Sequence, residues 1–167
     1  MSQRCVIPDA FKFAADGRRL EGRISLAECS RLVEMTTSAE GEIAYVLAGA
    51  QGDDGKWQFE LELSGTLRLV CQRCLTEMAW PFELASTLLL VRSGEEIPED
   101  ELEDDTRDAI EVQPDLDVKQ LVEDEILLAV PIVPRHERCE APLPSGGATK
   151  ESPFAALSGL KKPGGVQ

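Results

Sequence analysis

WQFELELSGTLRLVCQRCLTEMAWPFELASTLLLV, residues 57–91, holds two runs of alternating apolar residues on either side of a Cys-x-x-Cys. In the first run Trp57, Phe59, Leu61 and Leu63 alternate with Gln58, Glu60, Glu62 and Ser64, the pattern of a strand buried on one face only. Leu67 and Leu69 carry it on to Cys71. In the second, Met78, Trp80, Phe82, Leu84, Leu88 and Leu90 keep an even-numbered alternation up to Val91. The chain therefore reverses at Cys71-Gln72-Arg73-Cys74-Leu75, a turn that presents two thiols to one point in space. Pro81 cannot donate a ladder hydrogen bond, which predicts an edge strand or a bulge there.

Upstream, Glu42–Ala50 reads as a strand and Gln51-Gly52-Asp53-Asp54-Gly55 as a turn. Residues 1–24 read as an extended lead-in, with Phe11 and Phe13 alternating and a turn at Asp16-Gly17. Ser25 and Glu28 form a capping box, and Leu26, Cys29, Leu32 and Val33 share one face of the helix it predicts. Cys29 is then a small buried apolar residue, while Cys5 has no visible partner. Downstream, Ala109–Val112 reads as a short returning strand. A second helix follows the N-cap candidates Asp115 and Asp117, with Leu121, Val122, Ile126 and Ala129 as its apolar stripe. Glu123, Asp124 and Glu125 supply acid on its flank, and Pro131 ends it. These elements predict an α+β fold: an antiparallel meander of about five strands with two helices packed on one face, in a single domain over residues 1–134.

The formal charge is −14, and the stretch 95–131 carries 15 acids against 2 bases. Its core, EEIPEDELEDD, is too charged to bury, which predicts a mobile acidic loop over 94–108. Residues 135–167 read as a flexible Pro/Gly-rich tail with a short helical stub at 153–161. Phe154, Leu157 and Leu160 would lie on one side of that stub, either docking on a partner or folding back. So acidic a chain is a poor match for phosphate backbones or anionic membranes, both of which call for Lys and Arg. The first residues, MSQRCVIPDAFKF, show no apolar secretion signal, and no stretch approaches the ~20 apolar residues of a membrane span. With five cysteines and no disulfide framework, a cytoplasmic protein is expected.

Zinc needs four ligands close together, usually Cys and His. Cys71 and Cys74 supply half of such a site, and His136 with Cys139 could supply the rest from the start of the tail. The incomplete second pair favours a reduced, structural turn over bound zinc. Redox use ranks last, because it calls for a helix N-terminus at the first thiol and the flanks here read as strands. His136 lies between Arg135 and Glu137, with Arg138 close by, and the chain has no Gly-x-Ser-x-Gly elbow and no Gly-rich phosphate cradle. The sequence thus reads as non-enzymatic, with no small-molecule substrate.

CQRCL at 71–75, LVEDEILLAVPIVPRH at 121–136 and SPFAALSGLKK at 152–162 together resemble the YceD family, the bacterial large ribosomal RNA subunit accumulation proteins. The resemblance runs over most of the chain and is weakest before residue 60. It implies a cytoplasmic factor needed for accumulation of 23S rRNA, through its synthesis, processing or stability. The charge of −14 adds that the association with 23S rRNA is indirect, through ribosomal proteins or large-subunit assembly factors. The positions that match the family's motifs are Cys71, Arg73, Cys74, Glu123, Glu125, Pro131, Pro134, Pro153 and Phe154, with Leu157 as a further contact candidate in the stub. The competing reading is a zinc-stapled structural adaptor for an enzyme outside ribosome assembly.

Overall fold

A computed structural model of the chain describes residues 5–95, 97 and 106–140. Three long strands, β3 (Glu42–Gln51), β4 (Trp57–Val70) and β5 (Glu77–Arg92), form the expected antiparallel meander. Its inner face carries Phe59, Leu61, Leu63, Leu67 and Leu69, all buried, while Glu60, Glu62 and Arg68 between them are exposed. One wet face is what makes this alternation legible. Each such large apolar side chain taken from water contributes roughly 1.5–3 kcal/mol, so the meander anchors the fold.

The sheet has five strands, in the order β2-β3-β4-β5-β6, with β2 at Arg19–Ser25 and β6 at Asp108–Val112. It departs from the expected all-antiparallel sheet at one place: β6 runs parallel to β5, pairing Leu88↔Asp108 through Arg92↔Val112. Pro81 sits opposite Thr66 in an unbroken register, so there is no bulge. β6 reaches only residues 88–92 of β5, which leaves β5 an edge at Pro81, where a missing N–H does no harm. A separate two-stranded pair joins β1 (Val6–Ile7) to β7 (Leu116–Asp117).

The lead-in is extended only in part, at β1 and β2. Residues Ala10–Ala15 form a helix, α1, capped by the Asp9 side chain on Lys12 N, and the residues after the Asp16-Gly17 turn form β2. Phe13 meets Phe59 edge-on at 5.7 Å, and Gly49 lets α1 approach β3 closely, since a Cβ there would come within 2.5 Å of Ala14 Cα. The expected capping box also fails. Ser25 makes no side-chain cap, Leu26–Glu28 is a 3-10 turn, and the second helix, α2, begins only at Ser30 and runs to Met35. Cys29, between the two, is fully buried as expected.

The last helix, α3, spans Val118–Ala129 and starts on Asp117, whose carboxylate accepts from Lys119 N and Gln120 N. Asp115, the other cap candidate, instead adopts a positive φ of 63°. Val118, Leu121, Val122 and Ile126 join the core shared by α1, α2 and the inner sheet face. Glu123 and Glu125 are not flank acids: both are buried. Glu123 accepts from Arg31 N at 2.7 Å and Leu32 N at 3.2 Å, and so caps α2 from across the layer. Among the described residues there are therefore three α-helices rather than two. The acid-rich core of the 94–108 loop and the 153–161 stub lie outside the described residues.

Candidate metal centre

β4 and β5 stay paired up to Val70↔Glu77, so the six residues between them must close a tight turn. Cys71 N donates to Thr76 O and Leu75 N to Cys71 O, both at 2.9 Å, and Leu75 takes a φ of 61° to complete it. Cys71 is fully buried beneath this turn, and Cys74 lies at its rim.

The second half arrives from the end of α3. Beyond exposed Pro131, the chain crosses to the turn, where Gln72 N donates to Pro134 O at 2.8 Å. That contact brings in the stretch Arg135–Glu140, the expected start of the flexible tail. His136 N then donates to Cys71 Sγ at 3.4 Å, and His136 Nδ1 lies 3.3 Å from Cys74 Sγ. Cys139 Sγ stands 3.6 Å from Cys71 Sγ. The ligand atoms of Cys71, Cys74, His136 and Cys139 all fall within 4.8 Å of one another. A tetrahedral zinc with Zn–S bonds of about 2.3 Å has S···S edges of about 3.8 Å, so the donor set needs little adjustment to hold one.

The electrostatics favour ligation in the Cys71/Cys74 half and oppose it in the His136/Cys139 half, whose groups must lose their protons to bind an ion. Burial opposes ionisation of Cys71, but the backbone N–H groups of Cys74, His136 and Arg73 outweigh it and bring the thiol down to about 5. The Thr76 hydroxyl, 3.2 Å from Cys74 Sγ, is the main cause lowering that thiol. Hydrogen bonds to Cys71 and then Cys74 raise His136. Cys139 is raised by burial, with the Arg73 guanidinium pulling the other way. Arg73 Nε donates to Cys139 Sγ at 3.0 Å and its NH2 to His136 O at 3.1 Å, so one fork ties both residues of the second half to the turn. Two thiols favoured as thiolates, a third beside a fixed cation and an imidazole form a zinc-type donor set. Four protein ligands leave no open coordination position, which fits a structural staple rather than a catalytic ion.

The same stretches carry similarity to known proteins. The sequence profile described as "Large ribosomal RNA subunit accumulation protein YceD" matches residues 59–161, which includes the thiol turn, α3 and the His-x-x-Cys. The chain belongs to the YceD family. Among curated relatives, it is 30% identical over 97 residues to the "Uncharacterized protein YlbN" of Bacillus subtilis (strain 168), covering 56% of this chain and 49% of that protein. The chain thus spans about half the length of this relative. No solved structure matches the chain. Among the described residues, no helix is long and apolar enough to cross a membrane.

Of the YceD motif positions, the fold gathers Cys71, Arg73, Cys74 and Pro134 at the centre. Pro131 lies just past α3. Glu123 and Glu125 sit apart from the centre, in the helical layer. Pro153, Phe154 and Leu157 lie outside the described residues. Sequence reasoning missed one contributor to the centre, the Thr76 hydroxyl, which is near enough in sequence to have been noticed. It singled out Pro134 but not its role, which is played by the backbone carbonyl.

Proposed function

We propose that this chain is a cytoplasmic, non-enzymatic factor that promotes accumulation of 23S rRNA in large-subunit biogenesis, working through contacts with ribosomal proteins or assembly factors. Zinc at Cys71, Cys74, His136 and Cys139 would staple its thiol turn. The family description supports the biological role. The observation that supports protein contact is the exposed apolar set on the two segments that build the centre: Leu75 is 65% exposed and Ile132 98%. Exposed apolar residues are common singly, but these two lie on the segments that the centre ties together, which offers a partner apolar anchors from both.

The basic residues point the same way. Arg19 pairs with Glu21, Arg23 with Glu42, Arg31 with Glu123 and Asp124, and Arg68 with Glu77. Arg18 lies over Phe13, and Arg73 over the metal centre. These arginines have acidic or aromatic partners of their own, and a chain of charge −14 repels phosphate within about 8–10 Å at physiological salt.

The test is affinity capture from lysate with the intact chain and with one ending at Leu143. Large-subunit components should be recovered with the intact chain and reduced with the shortened one, which lacks the Phe154 stub. Equal recovery would remove the stub from the mechanism. Recovery of an enzyme with no large-subunit component would replace this reading by that of an adaptor. Salt-sensitive binding of naked 23S fragments at nanomolar concentration would overturn the protein-contact mode.

A further inference from the structure

β2 forms one edge of the sheet, and among the described residues no strand lies on its outer side. Its backbone phase is fixed by Gly49 N donating to Arg18 O at 2.8 Å, one step beyond the pair Arg19↔Ala48. In an antiparallel ladder alternate residues bond to the neighbour, so Leu20, Gly22 and Ile24 face β3 with their N–H and C=O groups. Those of Arg19, Glu21, Arg23 and Ser25 point off the edge.

Exposed edges are normally blunted by proline, a bulge, short length or a charge pointing inward. β2 has none of these, and its edge charges, a further means of blunting, alternate in sign as Arg19, Glu21 and Arg23, so they match a second copy instead of only repelling it. Its register is unbroken for seven residues, and its inward side chains are Leu20, Gly22 and Ile24. The edge is also self-complementary. We propose that two copies of this chain pair through antiparallel β2 strands about a two-fold axis at Gly22.

In that register Glu21 lies opposite Arg23 of the second copy, and Arg19 opposite Ser25. All four are residues whose backbone groups face outward, so they form the hydrogen-bonded pairs. On the inner face, Leu20 meets Ile24 of the second copy and extends the core across the junction. Gly22 meets itself in a non-hydrogen-bonded pair, where Cα atoms approach to about 4.5 Å. A side chain there would also strike the Tyr45 hydroxyl, 2.8 Å from a Cβ position, so Tyr45 fills the inner face on each side of the axis. Sliding by two residues one way sets Glu21 against Glu21, and the other way Arg23 against Arg23. A slide of four would set Arg19 against Glu21 but leave only residues 19–21 of the strand paired, so charge and overlap together select one register. Locally, Arg18, Arg19 and Arg23 stand beside two acids, Glu21 and the Glu42 that pairs with Arg23, so this edge lacks the acidic excess of the rest of the chain. Repulsion from more distant acids is screened beyond about 8 Å.

Sedimentation equilibrium of the full chain at about 0.15 M salt, over micromolar to several hundred micromolar, tests this. The chain should sediment as a reversible dimer. Glu21→Arg and Arg23→Glu each oppose like charges at both contacts and should raise the dissociation constant at least tenfold. The double variant Glu21→Arg/Arg23→Glu, and an equimolar mixture of the two single variants, restore unlike pairs and should bring it back to within threefold. Glu21→Pro removes an outward N–H that β3 does not use, and should give a monomer whose unfolding midpoint matches the parent's at concentrations where the parent is also monomeric. A monomer at every concentration, or single variants that dimerise as well as the parent, would overturn the proposal.

Discussion

Arg73 is the residue on which the metal centre turns. It lies between Cys71 and Cys74 in sequence, yet its guanidinium serves Cys139 and His136, on the other half. Residues that orient ligands typically change metal affinity by about 10–100-fold when removed. Arg73→Ala should therefore release zinc to a chromophoric chelator at a concentration at least tenfold lower than the parent requires. Cys5→Ser, remote from the donor set, should not change the zinc stoichiometry. Glu125 gives a second residue-scale prediction. Burial raises its carboxyl above the usual range, opposed by a hydrogen bond from Ser86 and reinforced by Asp108 and Asp124. Between the unfolded value, about 4.3, and the raised folded value, the folded chain holds more protons than the unfolded one. Stability from this group is thus complete below about 4.3 and falls as pH rises through the folded value. Glu125→Gln removes that loss, so in urea titrations its stability relative to the parent should grow from pH 4 to pH 8. A gap that shrinks over this range would mean that the ionised carboxylate is stabilised where it sits.

At the scale of elements, the informative contact is between α2 and α3. A six-residue helix has little stability of its own, and α2 begins without a side-chain cap from the residue before it. Glu123 supplies that cap from α3, on two amides, while its other oxygen meets the Arg31 guanidinium at 3.3 Å. Glu123→Ala would leave those donors without their acceptor in a largely dry site, at a cost of about 2–3 kcal/mol. Glu123→Gln, which keeps one acceptor oxygen, should lose less. Chemical denaturation gives both values, and faster amide exchange at Arg31 and Leu32 should accompany the loss. The same contact explains what the sequence could and could not tell. The Ser25/Glu28 capping box looked complete locally, but the acid that caps α2 is 91 residues away from Leu32. β2 was legible only as part of an extended lead-in and not as a sheet strand, because its middle inward position is Gly22, where a neighbouring strand's tyrosine supplies the bulk. In α1, Phe11 and Phe13 mimic a strand because six residues are too few to show a helical period. By contrast, β4 and most of β5 were legible, since they bury one face against a single core; only at Leu88–Val91 is β5 buried on both faces. All four metal donors sit in short Cys/His spacings that are visible directly; their meeting depends on α3 delivering residues 131–140 to the turn.

On the scale of the whole molecule, the centre joins regions that the core does not. The main apolar cluster takes in the inner sheet face, α1, α2 and α3, yet none of Cys71, Cys74 and Cys139 belongs to it. The stretch 131–140 is held to the turn by the Gln72–Pro134 backbone bond, the Arg73 fork and the thiol cluster. Zinc should consequently stabilise a local unit on top of a sheet that persists without it. With free zinc at 100 times its dissociation constant, linkage gives about 2.7 kcal/mol if unfolding releases the ion. For a domain of this size that is roughly 5–10 °C in melting midpoint. Chelation should speed amide exchange across 71–76 and 131–140 while leaving the amides of Phe59, Leu61 and Leu88 protected. Exposure of Leu75 and Ile132 would then no longer be fixed in one geometry, so capture of partners should weaken before the fold does. A chelated chain that lost protection in β4 and β5 together with the turn would instead make the metal a condition of folding, because a sheet stable on its own apolar contacts would have no reason to open.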